Sequence, residues 1–190
     1  MSTAAIIVIV FAITAIAIAL LWFLQKRRSD RSHTKFGPEY ERTLAEYGDQ
    51  RKAESELESR EKRIEKYEIR GLTREERERF AESWKSVQAR FVDEPQQAMT
   101  GAHKLLNEVM RTRGYPVSAE FEENAATLSV EHPRVVENYR LACDIAKRQE
   151  RSRANTEDLR QAMVSYRVLF EDLLGVLVNQ RVRQPEEVRR

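Results

Sequence analysis

The chain has 190 residues, of which 34% are charged, and its formal net charge is +2. Residues 36–180 carry 24 basic and 28 acidic side chains, which argues against a nucleic-acid-binding domain, since such a domain carries its own basic excess. One cysteine, Cys143, excludes an internal disulfide bond, agrees with a reducing compartment and falls on an apolar helical face typical of a buried thiol.

An uninterrupted apolar run occupies residues 4–24, where only Thr14 is polar. As a helix, these 21 residues span about 31 Å, close to the hydrocarbon thickness of a bilayer. No basic residue precedes the run, and its length exceeds that of a signal-peptide core. These features favour a retained anchor over a cleaved signal peptide, so we predict a single N-terminal transmembrane helix.

Five basic residues and one acidic residue follow the apolar run at positions 25–35. Such an excess marks the cytoplasmic flank of a membrane helix, so we expect the N-terminus outside and the C-terminal domain in the cytoplasm. The flank also suits the anionic head groups of inner-leaflet lipids, although a topology signal alone explains it equally well. The candidate residues for lipid head-group binding or topology are Lys26, Arg27, Arg28 and Arg31.

Gly37 and Pro38 are expected to interrupt any helix that leaves the membrane, and Pro38 suits the first turn of a new helix. Residues 39–69 are very polar, and opposite charges recur four residues apart, as on a solvated helix. No heptad pattern is sustained over three repeats. We predict a charged helical stalk, interrupted near Gly48, and keep weak coiled-coil pairing into a homo-oligomer as an alternative.

Five amphipathic helices with short connections are predicted beyond Gly71. Thr73 and Glu76 have the spacing of a capping box, and Asn155 or Thr156 is expected to cap the last helix. No strand-like alternation occurs between residues 36 and 180, so the expected class is all-α with a cytoplasmic antiparallel helical bundle. The predicted segments are a transmembrane anchor (1–24), a basic juxtamembrane linker (25–38), a charged helical stalk (39–70), a helical bundle domain (71–178) and a flexible tail (179–190).

Motifs for catalysis or metal binding are absent from the sequence. There is no His-Glu-x-x-His, no cysteine pair, no calcium loop and no glycine-rich phosphate loop. Di-iron bundles need Glu-x-x-His, but Thr100 and Ser129 stand three residues before His103 and His132. We therefore expect no enzyme, no cofactor and no metal.

Two turns, together with the residues that follow the second one, carry the most unusual residues of the predicted bundle, at positions 113–116 and 132–140. A glycine helix end and a proline-started helix explain both turns structurally. The functional alternative is that the two turns form one partner-binding end of the bundle. Its candidate residues are Arg113, Tyr115, His132 and Arg134.

Several longer motifs resemble a family of uncharacterised bacterial membrane-anchored helical proteins, often labelled only as secreted or membrane proteins. The motifs are FGPEYERT, WKSVQARFVDEPQQA, VMRTRGYP, VEHPRVVENYR and TEDLRQAMVSYRVLFEDLL, between Phe36 and Leu174. The resemblance implies a bacterial protein, and hence the inner (plasma) membrane, but it implies no catalytic residue. The flanks of the apolar run favour the anchored form over a secreted one.

The sequence therefore predicts a single-pass bacterial membrane protein that presents a cytoplasmic helical interaction or scaffold module. The expected partners are the lipid bilayer and an unidentified protein, with no nucleic acid. The alternative is a membrane-surface lipid-binding or envelope-stress factor that acts through the basic flank. Replacing Lys26, Arg27, Arg28 and Arg31 by Gln separates the two, because lost activity with intact membrane insertion favours the lipid alternative.

Overall fold

The computed structural model of the chain describes residues 16, 19, 20, 23, 27, 29–151 and 154–175. Regular structure within these residues is helical throughout, which confirms the predicted all-α class. Most of the predicted anchor and the whole predicted tail lie outside them. None of the described helices combines the length and the apolar character that crossing a membrane requires. The anchor stays a prediction from the sequence.

Residues 29–36, within the predicted linker, are helical. Gly37 then interrupts the helix with a φ of 48°, and Pro38 lies in the first turn of the next one, as predicted. Gly48 ends that helix in the left-handed region, with a φ of 63°. The helices that follow residue 37 are α1 (Pro38–Tyr47), α2 (Gln50–Ile64), α3 (Arg74–Arg90), α4 (Pro95–Thr112), α5 (Phe121–Glu131), α6 (Val136–Glu150) and α7 (Thr156–Leu173).

The chain divides into two compact units, Met1–Leu57 and Glu58–Arg190. In the first unit, α1 and the start of α2 bury one face, although the sequence predicts a solvated helical stalk here. Tyr40 is buried, and its hydroxyl donates a hydrogen bond of 3.3 Å to the carboxylate of Glu54. Ala53 and Leu57, four residues apart on α2, are also buried. The predicted stalk is therefore amphipathic, because its few apolar residues share a helical face.

The second unit contains the predicted bundle, formed by α3 to α7. Helix α7 packs against α4 and α6, while α3 packs on α4 and α5 packs on α6. Trp84 of α3 stacks on Phe170 of α7 with ring centroids 4.8 Å apart. Large side chains from all five helices are fully buried, and each contributes roughly 1.5–3 kcal/mol through burial. They are Phe80, Leu106, Met110, Leu128, Tyr139, Ile145, Tyr166, Leu169 and Phe170.

Two of the bundle helices begin with complete capping boxes. The Thr73 hydroxyl accepts from the Glu76 backbone N–H, and the Glu76 carboxylate accepts from the Thr73 N–H. Asn155 and Asp158 make the same reciprocal pair at α7, so Asn155 is the cap there. Each cap contributes about 1 kcal/mol by satisfying backbone donors that the first helical turn leaves unpaired.

Candidate functional site

Three helices of the bundle end close together, and their ends bring five polar side chains into contact. Arg113 and Tyr115 follow α4, Glu131 and His132 lie at the end of α5, and Asp172 lies in the last turn of α7. Hydrogen bonds and ion pairs join all five side chains. We refer to these five residues as the polar cluster.

His132 is held through both of its ring nitrogens. Nδ1 lies 2.5 Å from a carboxylate oxygen of Asp172, and Nε2 lies 3.1 Å from Arg113 Nη1 and 3.1 Å from the Tyr115 hydroxyl oxygen. A guanidinium can only donate, so Nε2 accepts and the ring proton belongs on Nδ1, where it is donated to Asp172. Aspartate orients histidine in this way in many hydrolases, but here Nε2 is already occupied and offers no position for a nucleophile.

The guanidinium of Arg113 makes the largest number of contacts in the cluster. Nε donates to the carbonyl oxygen of Arg70 at 3.1 Å, and Nη1 lies 3.4 Å from the carbonyl oxygen of Leu173. Nη2 lies 3.7 Å from a carboxylate oxygen of Glu131, and the guanidinium carbon is 5.2 Å from the Tyr115 ring centroid. A cation beside the last carbonyls of α7 is favourable, because those carbonyls lack helical partners and carry the negative end of the helix dipole.

Tyr115 and Glu131 form the outer pair of the cluster. The Tyr115 hydroxyl donates a hydrogen bond to the Glu131 carboxylate. Burial, followed by this hydrogen bond, raises the pKa of Tyr115 far above its ordinary value, so the hydroxyl stays protonated and remains a donor. The Glu131 side chain is 38% exposed, compared with 13% for Arg113 and 10% for His132. Solvent therefore reaches the cluster mainly from the side of Glu131.

The segment that leads from α2 to α3 is fastened to the same end of the bundle. The Arg70 backbone N–H donates to the Arg113 carbonyl oxygen at 2.8 Å, in addition to the side-chain bond from Arg113. Gly114 has a φ of 92°, and a Cβ on it would lie 2.4 Å from the carbonyl oxygen of Glu68. Glycine at this position therefore permits the close approach of the two segments.

Three of the four predicted partner-binding residues, Arg113, Tyr115 and His132, meet in the polar cluster. Arg134 lies outside it; its side chain is exposed and makes no hydrogen bond or ion pair with any residue that the structure describes. Glu131 and Asp172 were not predicted from the sequence. Asp172 is 40 residues from His132 along the chain, and its only sequence signal is an acidic residue beside buried positions of α7. Binding of a partner here stays a prediction.

A second group of polar and aromatic side chains surrounds His103 of α4. Its ring lies 5.0 Å from Phe121, 6.4 Å from Tyr139 and 6.1 Å from Tyr166, measured between centroids. Its two nitrogens contact the Tyr166 hydroxyl at 3.3 Å and the Asn107 amide at 3.1 Å. Burial lowers the pKa of His103, because the charged imidazolium would lose its hydration there.

Cys143 belongs to the apolar core, as predicted, and its residue surface is 2% exposed. Burial raises the pKa of its thiol to about 12. The thiolate is the reactive form of cysteine, so this side chain is a poor nucleophile at neutral pH.

The basic flank is only partly described. Arg27 and Arg31 are exposed, and the Arg27 guanidinium lies 5.0 Å from the Phe23 ring centroid. Lys26 and Arg28 lie outside the described residues. Their role in lipid binding or topology stays a prediction.

No group of three or more His, Cys, Asp or Glu side chains is arranged to hold a metal ion in the part of the chain that the structure describes. The chain matches no protein-family model, no curated protein and no solved structure. The chemistry of the site is therefore argued from its own geometry.

Proposed function

We propose that the chain is a single-pass bacterial membrane protein whose cytoplasmic helical bundle docks a protein partner at the end that carries the polar cluster. The apolar run at residues 4–24 and the basic flank at residues 25–35 support the anchor and its direction. The resemblance to bacterial membrane-anchored helical proteins supports the same proposal.

The observation that carries the docking proposal is the cross-linking of four chain segments by the polar cluster. Its hydrogen bonds connect Arg70 with residues 113–115, 131–132 and 172–173. A surface whose turns are already ordered loses little conformational entropy when a partner binds. This end of the bundle is thus preorganised for docking.

Arg134 provides an exposed contact residue at this end. It lies two residues after His132, in the turn whose start the polar cluster holds, and no described residue pairs with it. Arginine is enriched at protein interfaces because its planar guanidinium donates several hydrogen bonds and packs on aromatic rings.

Site-specific photocrosslinking in living cells tests this proposal. We place p-benzoylphenylalanine at Arg134 of the full-length chain, and at Val92 as the matched control. Val92 is 83% exposed and lies in the α3–α4 turn, one length of α4, or about 27 Å, from the polar cluster. We expect a discrete adduct with one protein species from position 134 and not from position 92.

Equal labelling from positions 134 and 92, or no adduct from position 134 at normal expression, contradicts the docking proposal.

The second candidate, a lipid-binding factor, is favoured by the five-to-one basic excess at residues 25–35. Under that alternative, activity depends on Lys26, Arg27, Arg28 and Arg31, while position 134 gives no protein adduct.

A further inference from the structure

Glu131 differs from the other members of the polar cluster in its exposure and in its neighbours. Its carboxylate is the part of the cluster that solvent reaches most easily, at 38% exposure of the side chain. The carboxylate accepts the hydrogen bond of the buried Tyr115 hydroxyl and lies 3.7 Å from Arg113 Nη2. Glu131 thus covers two donors from the outside.

The guanidinium of Arg113 is held in place by contacts that do not involve Glu131. Arg113 is fixed by the carbonyl oxygens of Arg70 and Leu173 and by the Nε2 atom of His132. Its Nη2 atom, by contrast, is paired only with Glu131 among the described residues. Arg113 and the Tyr115 hydroxyl therefore form a preorganised position for one carboxylate.

Departure of Glu131 would leave this position vacant without disrupting the rest of the cluster. The Tyr115 hydroxyl would lose its carboxylate acceptor, because Nε2 of His132 already accepts from Arg113. Arg113 Nη2 would also lack a partner among the described residues, and a partly buried guanidinium attracts an anion strongly. The exposed Arg134 adds positive charge at the same end.

We propose that Glu131 is an internal occupant of a carboxylate-binding position formed by Arg113 and Tyr115, and that a carboxylate of the docking protein exchanges with it. The identity of the incoming group as a protein carboxylate rests on the proposed function. Because Glu131 is tethered next to the donors, it competes at a high effective concentration and keeps the position closed until the partner supplies several contacts at once.

Chemical rescue of Glu131→Ala in the full-length chain tests the position directly. The thermal midpoint of the variant is followed in sodium acetate and in sodium chloride at equal ionic strength. We expect acetate to raise the midpoint saturably, by about 2–4 °C above chloride. The wild-type protein should show no such difference, since Glu131 already fills the position.

Glu157→Ala is the matched control, because Glu157 forms an exposed ion pair with Arg160 on the surface of α7. An acetate response of equal size in this control, or no response in Glu131→Ala, overturns the proposal. If Glu131→Ala does not fold, Glu131→Ser replaces it, because the short serine side chain also leaves the position beside Arg113 and Tyr115 vacant. Acetate-specific stabilisation of Glu131→Ser then supports the proposal, and its absence overturns it.

Hexaglutamate identifies the source of the carboxylate. If the natural ligand is a carboxylate of a protein, we expect hexaglutamate to stabilise Glu131→Ala at a concentration at least tenfold below that of acetate, with both concentrations counted per carboxylate. Equal potency overturns the partner assignment. These measurements involve no cellular partner, so their failure is distinguishable from a failure of the crosslinking at Arg134.

Discussion

Gly114 is the residue at which the backbone most tightly limits the choice of side chain. Its φ of 92° lies in the region that L-amino acids rarely adopt, and a Cβ would lie 2.4 Å from the carbonyl oxygen of Glu68. That carbonyl belongs to the backbone, so it cannot move aside as a flexible side chain would. The close approach places the segment at residues 68–70 against the turn that carries Arg113.

We predict that Gly114→Ala lowers the free energy of unfolding by at least about 2 kcal/mol, through backbone strain and the clash with Glu68. Urea unfolding of the full-length chain, followed by circular dichroism, measures the change. Gly101→Ala is the control, since its Cβ would meet Val87 at 3.6 Å, an ordinary contact, and alanine favours a helix interior by about 0.5–1 kcal/mol. Loss of stability in both variants would contradict this explanation.

Four helices meet around His103, and their contacts depend on the charge of its ring. Phe121 of α5, Tyr139 of α6 and Tyr166 of α7 surround the imidazole of α4. Burial among these rings lowers the pKa of His103, because the charged imidazolium would lose its hydration. The packing of α5 and α6 on α4 and α7 thus favours the neutral ring.

The lowered pKa of His103 predicts a loss of stability in acid. The unfolded chain binds this proton near the ordinary value of 6.5, whereas the folded chain binds it only at lower pH. Stability is therefore complete above about pH 6.5 and falls as the pH drops towards the folded-state pKa. We expect His103→Gln to flatten the dependence of the thermal midpoint on pH between 7.5 and 5.

His33→Gln is the control for this measurement, because it removes an exposed imidazole that pairs with Glu41. The contribution of His103 is the difference between the two variants. Identical pH profiles for both variants would show that burial of His103 does not cause the acid sensitivity.

Helix starts could be predicted from sequence where the cap is local. Thr73 and Glu76 are three residues apart, so their spacing alone predicts the reciprocal hydrogen bonds, whereas at α7 the sequence left Asn155 and Thr156 as alternatives and the structure identifies Asn155. The apolar residues of α5 predict a helix, but they do not predict that Asn124, Thr127 and Ser129 are buried beside them. An amphipathic pattern places polar residues on the solvent face, so only the surrounding elements determine that these three are buried.

At the scale of the whole molecule, the direction of the chain across the membrane is the main prediction. We expect a cysteine at Lys66, an exposed position after α2, to react with a membrane-impermeant maleimide only after permeabilisation. Cys143 should stay silent in the wild-type chain, because burial raises the pKa of its thiol to about 12. Labelling therefore reports the engineered site alone.

Ser2→Cys supplies the opposite control, since an N-terminus outside the membrane should react in intact cells. Reaction of Lys66→Cys in intact cells, with Ser2→Cys protected, would reverse the predicted direction. Reaction of both variants in intact cells would argue against the anchor at residues 4–24.

Much of the secondary structure of this protein could be predicted from its sequence, because it depends on interactions between neighbouring residues. The run at residues 4–24, the break at Gly37 and Pro38, and the five amphipathic helices of the bundle depend on residues a few positions apart, where hydrogen bonding and burial follow a short repeat. The polar cluster depends on tertiary structure, because its contacts join residues up to 60 positions apart, as between Arg113 and Leu173. No local spacing specifies such a meeting; it arises when the packing of α4, α5 and α7 brings their ends together.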